Sequence, residues 1–161
     1  KSSWIRVGDT SRMPLQAGRK VIFDTNIYIH AIHGGATSRS YHLLLDSLPS
    51  TYLCSVVSAE LYLGALDPWG IRLVYGFVSR SEKVGRLVTP THGCWNESAR
   101  ILGKIGKEEP KYKSKFATLL NDALIAFCAL QIGATVCTEN KDDFELIRRY
   151  KRFDLEVIGE P

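Results

Sequence analysis

The apolar positions of this chain fall in short runs punctuated by polar turns. Val21-Ile22-Phe23 is a compact β-rich run that stops at Asp24-Thr25-Asn26 and is followed by Ile27-Tyr28-Ile29, the pattern of a buried strand feeding a helix. Tyr52 to Cys54 repeats the strand signal and leads into a helix from about Val57 to Leu66, which Asp67-Pro68 is expected to stop. Gly85 to Val88, closed by Pro90, predicts a third strand, and Trp95 to Ile105 a moderately amphipathic helix with a Lys-rich loop behind it. Residues 122 to 132 are apolar nearly all the way round, so the helix they predict is buried, and Gly133 is its natural stop. Thr135-Val136-Cys137 then reads as a strand, Lys141 to Tyr150 as a helix and Leu155 to Ile158 as a last short strand. Short buried strands separated by helices predict an α/β fold of three layers, α/β/α, around a mostly parallel, Rossmann-like sheet.

Composition narrows the class without naming a chemistry. With 161 residues, 45% hydrophobic and 24% charged, the chain suits a domain with a sizeable core. Residues 1 to 20 mix Ser, Gly, Pro and Arg without periodicity and are expected to form an arm ahead of a domain spanning 21 to 158. No apolar run reaches bilayer-spanning length and the first stretch lacks the apolar centre of a secretory signal, so no membrane is expected and a cytoplasmic location is. Cys54, Cys94, Cys128 and Cys137 are scattered, form no C-x-x-C pair and read as reduced structural cysteines. A net charge of +4 permits a polyanionic partner without requiring one.

In an open parallel sheet, ligands bind in the crevice beyond the carboxyl ends of the strands. Asp24 stands at one such end, and Thr138, Glu139, Asn140, Asp142 and Asp143 stand just past another. Asp122 precedes the buried helix, where free N–H groups favour a carboxylate, and Glu60 lies early in its own helix at the same kind of edge. Singly, each has an ordinary explanation: a turn acid for Asp24, a cap for Asp122, a first-turn acid for Asp143. Together they repel one another by about 4 kcal/mol per close pair at an effective dielectric of about 20, so such a cluster is tolerated mainly when cations neutralise it. Hard oxygen donors without a thiolate or imidazole cluster point to Mg²⁺ or Mn²⁺ and a phosphodiester substrate.

The blocks that carry these acids occur in a recognisable order: Phe23-Asp24-Thr25-Asn26, then Ser58-Ala59-Glu60-Leu61-Tyr62-Leu63-Gly64, then Asn121-Asp122-Ala123-Leu124-Ile125-Ala126, then Gly133-Ala134 through Thr138-Glu139-Asn140-Lys141-Asp142-Asp143-Phe144. In this the sequence resembles the PIN domain, and within it the VapC-type toxin ribonucleases of toxin–antitoxin systems, over about residues 21 to 158. The resemblance implies metal binding and catalysis by Asp24, Glu60, Asp122 and Asp143, with Thr138 and Asn140 at supporting polar positions. It also implies Mg²⁺- or Mn²⁺-dependent cleavage of RNA by in-line attack of water, a homodimer, and a cognate antitoxin that offers an Arg or Lys to the acids. Asn26 is expected beside Thr138 and Asn140 as a group that orients the carboxylates. The stretches Trp69 to Glu82 and Lys104 to Lys115 lengthen the middle beyond the minimal pattern.

RNA also needs positive surface near the acids. Lys104, Lys107, Lys111, Lys113 and Lys115, with Tyr112 to stack on a base, are the first candidates, against the plain reading of a solvated loop; Arg148, Arg149, Lys151 and Arg152 are a second segment, which equally suits a helix carboxyl terminus. His30, His33 and His42 lack a completing ligand and read as surface or packing residues, and Trp4, Trp69 and Trp95 read as packing or partner-contact residues. Within the resemblance, a nuclease of RNA processing rather than a toxin is the alternative, and two other functions fit less or differently. A phosphatase with Asp24 as nucleophile would want a second Asp where Asn26 stands, and a non-catalytic RNA- or partner-binding module would keep the fold without cleavage.

Overall fold

The computed structural model describes residues 18–159, so the expected arm at 1 to 20 lies almost wholly outside the described residues. Among the described residues five short strands form one parallel sheet: β1 (Val21–Phe23), β2 (Thr51–Cys54), β3 (Leu87–Val88), β4 (Thr135–Thr138) and β5 (Leu155–Val157), in the spatial order β3-β2-β1-β4-β5. Val21 pairs with Thr51 on one side and Thr135 on the other, and Val136 with Leu155. Parallel pairing buries both faces of the central strands, which is why β1 and β4 read as uninterrupted buried runs.

The helices are α1 (Thr25–Gly34), α2 (Arg39–Ser47), α3 (Ser55–Gly64), α4 (Pro68–Lys83), α5 (His92–Glu108), α6 (Phe116–Ile132) and α7 (Lys141–Arg148). From β1 the chain steps outward to β3, then reverses to β4 and β5. By the right-handed rule for parallel crossovers, this order puts α1 to α4 on one face and α5 to α7 on the other, and the two groups meet where α3 touches α6. The reversal leaves a crevice outside the carboxyl ends of β1 and β4, where two of the predicted acidic segments begin.

Helix α6 is the hub. Residues Asp122 through Ala129 are all buried, and the helix ends at Gly133, whose left-handed conformation (φ 65°, ψ 38°) lets its N–H reach back to Ala129 and Leu130. At its other end Phe116 packs against Gly106 of α5 so closely that an added Cβ would fall 2.4 Å from the ring, which fixes the α5–α6 hairpin and the height of Asp122 above the sheet. With its leading turn (Pro110–Ile132) α6 is long and apolar enough to cross a membrane, but half of that apolar window is buried as a core helix. All four cysteines are unpaired and buried, and burial pushes the Cys137 thiol up to about 12.

Several expectations are corrected. Asp67-Pro68 starts a helix rather than only ending one: the Asp67 carboxylate accepts the N–H groups of Trp69 and Gly70, and Pro68 occupies the first helical position, where its missing N–H is no loss. The Lys-rich segment is not a loop, because α5 continues to Glu108 and a 3₁₀ segment, Pro110–Lys115, follows. Helix α6 begins at Phe116 instead of at Asp122, since Phe116-Ala117-Thr118-Leu119-Leu120-Asn121 contains no breaker. Asp122 is therefore an interior helix residue, buried in its second turn, and not a cap.

Candidate active site

Asp24 leaves the end of β1 and caps α1. Its Oδ1 accepts the Thr25 N–H at 2.7 Å, its Oδ2 accepts the Thr138 hydroxyl at 2.7 Å, and its own N–H bonds Cys137 O at 2.9 Å. The carboxylate is thus held between the carboxyl ends of β1 and β4, and it is 4% exposed. Burial raises its pKa above the usual carboxylate value, Thr138 and Thr25 pull it back, and the charges of Glu60 and Glu139 raise it further.

Glu60 comes from α3 and is gripped from two elements. Thr25 Oγ1 donates to its Oε2, and Asn121 Nδ2 donates to its Oε1 at 2.8 Å. Asp143 stands in the first turn of α7, where Asn140 Nδ2 donates to its Oδ2 at 3.1 Å and Lys115 Nζ to its Oδ1 at 2.6 Å. Thr138 serves both segments, since its hydroxyl oxygen also accepts the Asn140 N–H at 2.9 Å.

Asp122 is the exception. It is 6% exposed, and its Oδ2 has no hydrogen-bond partner. Burial is the first reason its pKa is pushed up to about 8; the charges of Asp24, Asp143 and Glu60 add to the rise, and Lys115 opposes it. A buried carboxylate facing three others, with one oxygen unsatisfied, is a position that a cation or a proton must neutralise.

The four predicted acids therefore converge on one crevice, close enough that each of the other three raises the pKa of Asp122. Thr138 and Asn140 sit as hydrogen-bond donors to them; Asn26 is half-buried and donates to none. Thr25 and Asn121, the two groups that orient Glu60, went unassigned, although each adjoins a predicted acid in its motif. A fifth carboxylate, Glu139, also lies near Asp24. It is held by Ser40 Oγ at 3.1 Å and by His30 Nδ1 at 2.5 Å, and His30 is exposed at the surface.

Of the candidate RNA contacts, Lys104 and Lys107 are exposed on α5, and Lys111, Lys113 and Lys115 line the 3₁₀ segment. Tyr112 is half-buried against the core with the Lys111 ammonium 5.0 Å from its ring, so much of its stacking face is taken.

The donor set fits a hard divalent cation: carboxylate oxygens on rigid elements, one of them orphaned, with hydroxyl, amide and ammonium groups behind them. Among the described residues no group of three or more His, Cys, Asp or Glu is already drawn together as a ready ligand set. Most of the oxygens are instead occupied by Thr25, Thr138, Asn121, Asn140 and Lys115.

Comparison with known proteins agrees with this fold. The PIN domain family model matches residues 21–150. No curated protein matches the chain by sequence. Among solved structures, the fold is shared with a chain of VapBC2 from Rickettsia felis bound to a DNA fragment from its promoter, at 22% identity and a TM-score of 0.60, covering 86% of this chain and 98% of that one. DNA-bound VapBC from Salmonella typhimurium matches at 22% identity and a TM-score of 0.62, with the same coverage of 86% and 98%. FitAcB from Neisseria gonorrhoeae matches at 22% identity and a TM-score of 0.59, covering 84% and 95%.

Proposed function

The chain belongs to the PIN domain family, a family of nucleases, and we propose that it is an endoribonuclease that hydrolyses RNA phosphodiester bonds with Mg²⁺ or Mn²⁺ held by Asp24, Glu60, Asp122 and Asp143. The observation that carries this reading is the convergence of four acids on the crevice beyond β1 and β4 with Asp122 Oδ2 unpartnered. Bound there, a divalent cation supplies Lewis-acid activation of water and neutralises charge at the phosphate.

The chain's own groups prepare that chemistry. Thr25 N–H and Thr138 Oγ1 fix both oxygens of Asp24, so its direction does not depend on the ligand. Thr25 Oγ1 and Asn121 do the same for Glu60. Burial and the neighbouring charges favour the protonated form of Asp122, so a cation held at its unpartnered oxygen would take the place of a proton. Lys115, with its side chain 47% exposed, holds its ammonium beside Asp143 at the edge of the crevice, where a phosphate can meet it.

The finer reading is that the protein is the toxin of a toxin–antitoxin pair. It is supported by the order of the sequence blocks and by a fold shared with chains of the VapBC and FitAB complexes. A homodimer is supported by the apolar patch that Tyr62, Leu63, Leu66 and Trp69 expose where α3 turns into α4, Leu63 at 79% and Leu66 at 89%. The test is RNA cleavage in EDTA, Mg²⁺ and Mn²⁺ by the parent and by Asp24→Asn. Metal-dependent products that vanish in the variant are expected. RNA bound but uncut under every condition would replace the enzyme with a binding module.

A further inference from the structure

Positive charge is not spread evenly over this chain. Residues 104–115 carry five Lys against Glu108 and Glu109, a net of +3, and residues 141–152 carry five cations against three acids, a net of +2. Together they hold +5 in a chain of +4, so all the rest sums to −1.

The fold lays the two stretches side by side. The six residues of Pro110–Lys115 rise about 12 Å at roughly 2 Å per residue, and the eight of α7 rise about 12 Å at roughly 1.5 Å per residue. They are clamped at both ends. Lys115 reaches Asp143 in the first turn of α7, while Glu109 lies 3.5 Å from Lys111 and 3.6 Å from Arg149 just past its last turn. The Tyr150 hydroxyl donates to Glu108 beside that second clamp. The segments therefore run antiparallel, with the acidic crevice at one end and a cationic end at the other.

Glu108 and Glu109 are occupied in joining the stretches, whereas Lys113, Lys151 and Arg152 have no acidic partner among the described residues. At the far end a concavity of about 390 Å³ opens between Glu145, Arg148, Arg149, Tyr150, Lys151 and Arg152. None of the exposed large apolar side chains lies in either stretch, so this surface lacks the groups that insert into a lipid layer. Arg forks and Lys point charges in a row along the surface of these two segments suit a phosphate backbone.

We propose that Pro110–Lys115 and the carboxyl-terminal end of α7 form a phosphate-tracking groove that holds the RNA strand on one side of the scissile bond. At roughly 3.4 Å of rise per phosphate, a 12 Å groove reaches about three to four phosphates beyond the cut. The groove makes a long strand a better ligand than a short one. It rests on the nuclease reading above, which puts the scissile phosphate at the Asp143 end.

The experiment is fluorescence anisotropy of a labelled single-stranded RNA of about 20 nucleotides in EDTA, across roughly 50 to 200 mM salt. Arg149→Gln/Lys151→Gln/Arg152→Gln is compared with the parent and with Arg72→Gln/Arg80→Gln/Lys83→Gln, which removes the same charge from α4 on the opposite face. Three lost phosphate contacts at about 0.7 each lower the log–log salt slope by about 2 and weaken binding about tenfold or more, while the α4 variant stays with the parent. Equal losses in both variants, or equal competition by a DNA duplex of the same length, overturn the groove. If the parent cuts RNA yet the groove variant binds it as tightly, the groove alone falls; if the parent neither binds nor cuts RNA, the nuclease reading falls with it.

Discussion

In metal-free protein, Asp122→Asn is expected to stabilise the fold at alkaline pH and to do nothing of the kind at acid pH. The Asp122 carboxyl rises from 3.8 to about 8, and burial is the largest cause. A folded-state pKa above the unfolded one means that the folded protein binds the proton more tightly. The stabilising contribution is therefore complete below about pH 4 and is lost as pH rises through about 8. At about 1.36 kcal/mol per pH unit, that interval sets a ceiling of roughly 6 kcal/mol. Relaxation and water entry at the crevice mouth reduce it, and about 2–3 kcal/mol is the expected fall between pH 5 and 8. Asp24, also raised, adds to the fall with the same sign. An Asn at 122 carries no charge and offers an N–H₂ to the neighbouring carboxylates, so its curve is flatter. The assay is thermal or urea denaturation in EDTA from pH 5 to 8.5, where the predicted difference corresponds to about 5–10 °C in Tm at pH 8 for a domain of this size. A parent whose stability is level or rises across that window, or a variant less stable at every pH, would refute the reasoning.

Three further outcomes follow from the same contacts. Lys115→Met removes the ammonium that sits 2.6 Å from Asp143, so Mn²⁺ no longer competes with it, and calorimetric titration is expected to show binding about fivefold tighter; weaker binding would mean that Lys115 assists the cation instead. Thr138→Val keeps the shape but deletes both the donor to Asp24 and the acceptor for Asn140 N–H, a loss of about 1–3 kcal/mol in urea unfolding; a neutral effect would show that the crevice does not depend on this bridge. Asp67→Ala strips the cap from α4, a helix that carries none of the four acids, so it should lower stability by about 1 kcal/mol while RNA cleavage per folded molecule stays at the parent rate.

Much of the fold was legible because its central strands are buried on both faces, which leaves plain apolar runs such as Val21-Ile22-Phe23 and Thr135-Val136-Cys137. Helix α6 was legible for the same reason, though not its start, because no capping residue marks Phe116. Helices α2 and α4 escaped because each buries few residues and leaves a large exposed face, and because Asp67-Pro68 reads as a stop as readily as a start. The acids themselves were readable from their motifs. Their supports were less so: Thr25 and Asn121 reach Glu60 across 35 and 61 residues, and Lys115 reaches Asp143 across 28, separations that only the folded crevice closes. The basic stretches 104–115 and 148–152 were visible singly. That Glu108 and Glu109 join them could not be read from charge alone, since an acid within a Lys run looks like a simple offset.

The central claim is that Asp122, with its unpartnered oxygen, completes a cation site with Asp24, Glu60 and Asp143. Mn²⁺ titration followed by electron paramagnetic resonance or calorimetry, at about pH 8 where the Asp122 carboxyl is about half ionised, tests it directly. The account predicts saturable binding by the parent, weaker at pH 6 and lost or reduced at least tenfold in Asp122→Asn; Mn²⁺ binding equally tight in parent and variant would contradict it.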